Sequence, residues 1–197
     1  QYIMRNLYPE AVWSVGSVKE IIKKYLEGRE RTDFEDWYSE FDKTAQKTYS
    51  LLIEIGEQGI DISQMDELIG DDRLTIQRAL DCLCFHGIVR RNPDKTYTIA
   101  GKMFKTWFTE NVSSYREMSE DIQDKLDRMT RRLVLDAVYD KPITESEIIE
   151  KIPKYLSSDR IKDAVKLLAE LEHIEKEDEK YFITDKGKIR YISISNL

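Results

Sequence analysis

Arg73, Thr75, Gln77 and Arg78 fall close together in the chain, and all four are side-chain types that read base pairs. Arg matches guanine and Gln matches adenine, each through two hydrogen bonds. Arg90, Arg91 and Lys95 follow, with the charge and reach to hold phosphates. A second set, Ser157, Ser158, Arg160, Lys162 and Lys166, lies about 85 residues further on. Carboxylates dilute both sets: Asp71, Asp72 and Asp81 beside the first, Asp159 and Asp163 beside the second. The same residues therefore also fit a solvated helix face with charge pairs four residues apart. Cys82-x-Cys84-x-His86 has ligand-type residues, but it lacks a fourth ligand and the two-residue spacing usual between thiolates. The cysteines fit small core or boundary positions, and no metal or other cofactor is expected. His173 precedes a strand and has no evident partner.

The first set needs a helix and a hairpin to position it. Ile76, Ala79, Leu80 and Leu83 fall on one helical face, with Arg73, Gln77 and Asp81 opposite. Asp71 or Asp72 suits the start of that helix and Gly87 its end. Ile88–Arg91 and Lys95–Ile99 read as two strands around an Asn92-Pro93-Asp94 turn. Two shorter helices precede them. One spans residues 42–59 with Ala45, Tyr49, Leu52, Ile53 and Ile55, ended by Gly56 or Gly59. The other runs from Ile62 to Gly70 with Met65, Leu68 and Ile69. Three helices running into a hairpin is the winged-helix form of the helix-turn-helix. In that form the third helix lies in the major groove. After the hairpin, Met103, Phe104, Trp107 and Phe108 make a wide apolar helix face.

The order repeats. Residues 112–140 read as one long helix, or two with a weak join, through Tyr115, Met118, Ile122, Leu126, Met129 and Leu133. Its acidic first part is a connector whose stripe packs on one unit or on a second copy of the chain. Its second part, from Arg131, begins the second unit. Thr144 and Glu147 form a capping-box pattern before Ile148, Ile149 and Ile152. Ser157 or Ser158 starts the next helix, with Ile161, Ala164, Val165, Leu168 and Leu171 inward. Ile174–Lys176 and Lys180–Ile183 form a hairpin around Glu177-Asp178-Glu179. Ile189, Tyr191, Ile192 and Ile194 make a last apolar segment. At this hairpin carboxylates outnumber lysines, so it suits a protein-facing or structural role better than a phosphate backbone.

The whole chain is 197 residues with 41% hydrophobic and 35% charged residues and a net charge of −7, which disfavours avid non-specific DNA binding. Residues 1–40 carry 6 basic and 8 acidic side chains, residues 41–111 carry 9 and 11, residues 112–127 carry 2 and 5, and residues 128–197 carry 14 and 14. No segment is a basic block, so any DNA-binding face must be a local patch. No apolar run approaches the roughly 18 residues that span a bilayer. No signal peptide is expected, because the N-terminus has no apolar run ending in a small-residue cleavage site, and Cys82 and Cys84, two apart on a helix, cannot easily bridge. A cytoplasmic protein with reduced thiols is expected. Gln1 in place of Met fits a piece of something longer. No P-loop, nucleophile elbow or paired-His helix occurs, so catalysis within the chain is not expected.

Residues 1–40 hold an apolar opening, Tyr2–Tyr8, stopped by Pro9. A helix from Ser17 to about Gly28 carries Val18, Ile21, Ile22, Tyr25 and Leu26, and Phe34, Trp37, Tyr38 and Phe41 follow at helical spacing. This segment has no core of its own in sequence. Trp37 and Trp107 read most simply as core, and as partner-contact residues if partly exposed.

Tyr97-Thr-Ile-Ala-Gly-Lys-Met-Phe-Lys-Thr-Trp-Phe108 resembles the winged-helix segment that follows the nucleotide-binding core of archaeal and bacterial STAND-type AAA+ ATPases. Gln1-Tyr-Ile-Met-Arg-Asn-Leu7 resembles the tail of the lid helix in that family, so the likeness spans roughly residues 1–110. Its phosphate-binding and acidic Mg²⁺ motifs do not occur here, and no ATP-binding residue carries over. The resemblance implies the C-terminal part of a larger ATPase. It would hold a lid remnant over residues 1–40, a winged-helix domain over 41–111, a connecting helix over 112–130 and a second winged-helix domain over 131–197. The resulting expectation is a mainly α, α+β fold of tandem winged-helix domains without enzymatic activity. It would bind double-stranded DNA through the first domain, or a protein partner such as an absent N-terminal ATPase domain. A free-standing regulator, dimeric through residues 112–130, and a pure interaction scaffold are the alternatives.

Overall fold

The computed structural model describes residue 20 and residues 31–195. The expected opening segment and the helix from Ser17 to Gly28 lie outside the described residues, as does the side chain of Ile194. Within them the chain is mainly helical with two small antiparallel sheets. No described helix is long and apolar enough to cross a membrane.

Helix α1 (Arg31–Ser39) leads into α2 (Lys43–Ile55), whose first turn is capped by Asp42 accepting from the Ala45 amide at 2.7 Å. Helix α3 (Ile62–Ile69) starts at Asp61, which accepts from the Ser63 and Gln64 amides, and ends at Gly70 with φ +82°. Helix α4 (Arg73–Phe85) is capped by Asp72 and buries Ile76, Ala79, Leu80 and Leu83, the face expected from spacing. Gly87, at φ +68°, then turns the chain into β1 (Val89–Arg91), which pairs with β2 (Tyr97–Ile99). Both strands are shorter than the expected spans, Ile88–Arg91 and Lys95–Ile99. A further edge was not expected: Ile60 exchanges backbone hydrogen bonds with Tyr97 at 3.3 and 2.9 Å. One residue between α2 and α3 thus serves as a strand too brief for any periodicity.

Helix α5 (Lys102–Asn111) supplies Phe104, Trp107 and Phe108 to the core, and these are where α1 packs. The Phe34 ring lies 5.4 Å from Phe104 and 6.0 Å from Trp107, centroid to centroid. Each large apolar side chain fully buried in this way contributes about 1.5–3 kcal/mol. Phe34 and Phe41 therefore belong to this core, although sequence offered their segment none.

Helix α6 (Tyr115–Tyr139) is one uninterrupted helix, without the weak join. Its first half lies on α2, burying Ile122 and Leu126, and Glu54 of α2 accepts from Tyr115 Oη at 2.9 Å and Ser119 Oγ at 2.6 Å. The first part of the stripe, through Ile122 and Leu126, thus packs on the chain's own first unit. The second half buries Val134, Leu135 and Val138. Around it sit β3 (Ile143–Thr144), α7 (Glu145–Lys151), α8 (Ser158–Glu170), β4 (Ile174–Glu177), β5 (Lys180–Ile183) and α9 (Asp185–Ser195). The capping box of Thr144 and Glu147 opens α7, and Ser157 caps α8. The sheet order is β3-β5-β4, with Ile143 opposite Tyr181 and Ile174 opposite Ile183.

One expectation of burial fails. Leu171, taken as inward, is 44% exposed because α8 ends at Glu170 and the chain turns away from the core there. Ile189 and Ile192 of the last apolar segment are 72% and 54% exposed. They ride the outer face of α9, which presents Tyr191 to α6: its hydroxyl donates to Asp136 at 2.6 Å and its ring lies 4.9 Å from Tyr139.

Candidate macromolecular interface

The first turn of α4 is organised by carboxylates. Asp72 accepts from the Leu74 and Thr75 amides and from Thr75 Oγ1 at 2.6 Å, and these donors hold its carboxyl below the usual range. Thr75 is thereby committed to the cap. Arg73 Nε donates to Asp66 Oδ2 of α3 at 2.8 Å, and the guanidinium lowers that carboxyl as well. Gln77 Nε2 donates to Asp81 Oδ1 at 2.7 Å, four residues along the helix. Three of the four base-reading candidates in α4 are thus engaged with neighbouring carboxylates, and only Arg78 is exposed and without an ion-pair partner among the described residues.

The hairpin differs. Arg90 Nε donates to Asn92 Oδ1 at 3.2 Å, and Arg91 stands over the Tyr97 ring at 6.0 Å. Lys95 occupies the tip at φ +69° and is exposed. None of the three has an ion-pair partner among the described residues. Tyr97 joins helix to hairpin, since its hydroxyl accepts from Gln77 at 3.5 Å while its ring underlies Arg91.

Residues not expected from sequence dominate the outer face of α4. Leu74 and Phe85 are 60% and 85% exposed, and with Arg78 and Asp81 they form a stripe at steps of four, three and four. That spacing keeps all four side chains on one face of a helix. The signal was present in sequence. It was missed because the opposite face, through Ile76, Ala79, Leu80 and Leu83, already accounted for the core.

In the second unit the Arg160 guanidinium turns inward. It donates to Asp127 and to Gln123 of α6, and its side chain is 20% exposed. Gln123 in turn donates to Glu54 of α2. The residue read as a base contact is instead one link in a polar chain from α8 through α6 to the first unit. Lys162 and Lys166 stay exposed on α8. On the second hairpin Lys176 stands over the Tyr181 ring at 5.6 Å, amid Glu175, Glu177, Asp178 and Glu179.

The aromatic candidates divide. Trp107 is 3% exposed and presents no surface to a partner. Trp37 is half-buried between the rings of Phe34, at 5.3 Å, and His86, at 5.5 Å. His86 Nε2 lies 3.1 Å from Glu40 Oε2. Cys82 and Cys84 are free thiols whose pKa values are raised by burial first and nearby carboxylates second. No group of three metal-ligating side chains converges among the described residues.

No protein-family model and no curated protein matches the chain.

Proposed function

We propose that the chain is a non-catalytic tandem winged-helix module that docks a protein partner through the third helix of its first unit. The repeated order supports the tandem reading. Each unit runs helix, short strand, helix, helix and two-stranded hairpin, and in each the last strand lies between the other two. The exposed Leu74–Arg78–Asp81–Phe85 stripe carries the choice of partner. Large apolar groups flanking one cation and one carboxylate suit a protein surface. A face that reads DNA needs cations and free polar groups, whereas here Asp66, Asp72 and Asp81 hold three of the four candidates. The resemblance of residues 1–110 to STAND-type ATPases supplies the occupant: a nucleotide-binding core within the same, longer protein. Translation of the coding sequence upstream of Gln1 tests that identity directly, since a P-loop must lie there.

A photo-reactive side chain placed at Arg78 of the full-length protein tests the docking face. The expected result is one protein adduct that survives nuclease and disappears with Phe85→Asp. The hairpin cations favour a second reading, duplex binding through the phosphates. Saturable, salt-dependent binding of short duplexes, weakened by Arg90→Ala and Arg91→Ala, would replace the protein reading with that one.

A further inference from the structure

Helix α6 carries Lys125, Arg128, Arg131 and Arg132 near its middle. Like charges three and four residues apart repel along a helix, and cations gain from the macrodipole only in the last turn. Asp121 and Asp124 offset that repulsion at Lys125 and Arg128, four residues on, while Asp127, four before Arg131, pairs with Arg160 instead. The four cations, with Arg190 of α9, line a groove of about 390 Å³ between α3, α6 and α9. Glu67 of α3 is the single carboxylate on its wall. Its apolar lining is Leu68 and Met129, both buried.

Three of the five cations have partners: Lys125 with Asp121 at 2.9 Å, Arg128 with Asp124 at 2.8 Å, and Arg132 with Glu67 at 2.7 Å. Arg131 and Arg190 have no ion-pair partner among the described residues. The groove is thus left with two positive charges in excess within a chain of net charge −7. It lies apart from the α4 stripe and the first hairpin, and no residue of either lines it.

We propose that this groove binds a phosphoanhydride ligand, a chain of two or more phosphates either free or carried by a nucleoside. Its volume lies in the range of small-ligand sites, about 300–1,000 Å³. Guanidinium forks pair with phosphate oxygens through two parallel hydrogen bonds, and arginine supplies four of the five cations here. Exposed ion pairs are weak, about 1 kcal/mol or less, so Asp121 and Asp124 release Lys125 and Arg128 to a stronger anion. Because α3 belongs to the first unit and α9 to the second, a bound ligand bridges both.

Calorimetric titration of the chain with sodium tripolyphosphate and, separately, with ATP at low ionic strength tests this. The expected result is saturable one-to-one binding, with the stronger of the two probes showing whether the phosphate chain or the nucleoside dominates. Arg131→Gln and Arg190→Gln should each weaken it by about tenfold, the loss of one charge-assisted hydrogen bond. Arg190 is exposed, so its variant keeps the fold even if Arg131→Gln does not. Glu67→Gln should tighten binding by removing the only carboxylate on the wall and releasing Arg132. Lys162→Gln, on the exposed face of α8, should change nothing. No binding of either probe overturns the proposal, as does binding that Arg190→Gln and Glu67→Gln leave unchanged, the mark of an adventitious ion only. Binding confined to duplex DNA, with the same dependence on Arg190, also overturns it in favour of a nucleic-acid backbone.

Discussion

Helices α4 and α8 each lead into a two-stranded hairpin and do opposite things with their arginines. Arg73, in the first turn of α4, pairs with Asp66 of its own unit while its side chain stays 65% exposed. Arg160, in the first turn of α8, is 20% exposed and reaches Asp127 and Gln123 on α6. The hairpins diverge too. The first offers Arg90, Arg91 and Lys95 against a lone Asp94, whereas the second sets four carboxylates against Lys176 and Lys180. Yet the hairpin scaffold is conserved between the units down to one contact, for Arg91 over Tyr97 and Lys176 over Tyr181 occupy matching register positions. A repeated order of elements does not repeat its surface. The first unit keeps its third helix outward, and the second uses the same helix as a brace against the first.

The glycine after each hairpin gives the largest test of that equivalence. A Cβ on Gly187 would lie 2.0 Å from the His173 carbonyl oxygen, a backbone atom, while one on Gly101 would meet the Ile88 side chain at 3.1 Å. His173 and Ile88 both immediately precede the first hairpin strand. Gly187→Ala should cost about 3 kcal/mol or more, and Gly101→Ala about 1 kcal/mol, measured as urea midpoints at constant slope. Equal losses would break the comparison, because the helix after the hairpin would then not approach the second unit more closely than the first.

The arginine pair comes next. Arg160→Ala strips the partner from Asp127 and Gln123 at a half-buried site, and about 1–2 kcal/mol of stability should go with it. Arg73→Ala removes a solvent-exposed pair and should cost under about 0.5 kcal/mol. The same urea titrations check both. An Arg160→Ala chain as stable as the parent would return Arg160 to the pool of surface cations and weaken the distinction between the units.

Much of this fold was legible in the chain. Asp72, Gly87, the Thr144–Glu147 box and the inward faces of α4 and α8 follow from local chemistry and periodicity, and local rules suffice where a helix determines its own ends. What was not legible depends on contacts between distant residues. Ile60 becomes a strand only because Tyr97 comes to it. Phe34 gains a core only because α5 lies beneath it. Arg160 has the composition of a surface cation, and nothing local says that Asp127 and Gln123 will stand opposite. The groove on α6 is of the same kind, since Glu67 and Arg190 reach it from helices far apart in the chain.

The smallest effect separates the two caps by pH. Asp72 caps α4 with a carboxylate whose folded pKa is lowered by the Thr75 hydroxyl first and the Thr75 amide second. Ser157 caps α8 with a hydroxyl that does not titrate in this range. A lowered folded pKa means the Asp72 contribution is fully present above the ordinary carboxylate pKa and is lost as pH falls through the folded value. Glu147, lowered by the Thr144 amide and hydroxyl, behaves the same way at α7. Amide exchange followed by NMR should therefore show Leu74 and Thr75 losing protection on acidification while Arg160 keeps its own. Asp72→Asn should retain the cap and remove the pH dependence, because asparagine caps helices about as well and carries no titrating proton. If Arg160 lost protection in step with Leu74, the acid response would belong to the net charge of the whole chain, and the two first turns would no longer be distinguished by their caps.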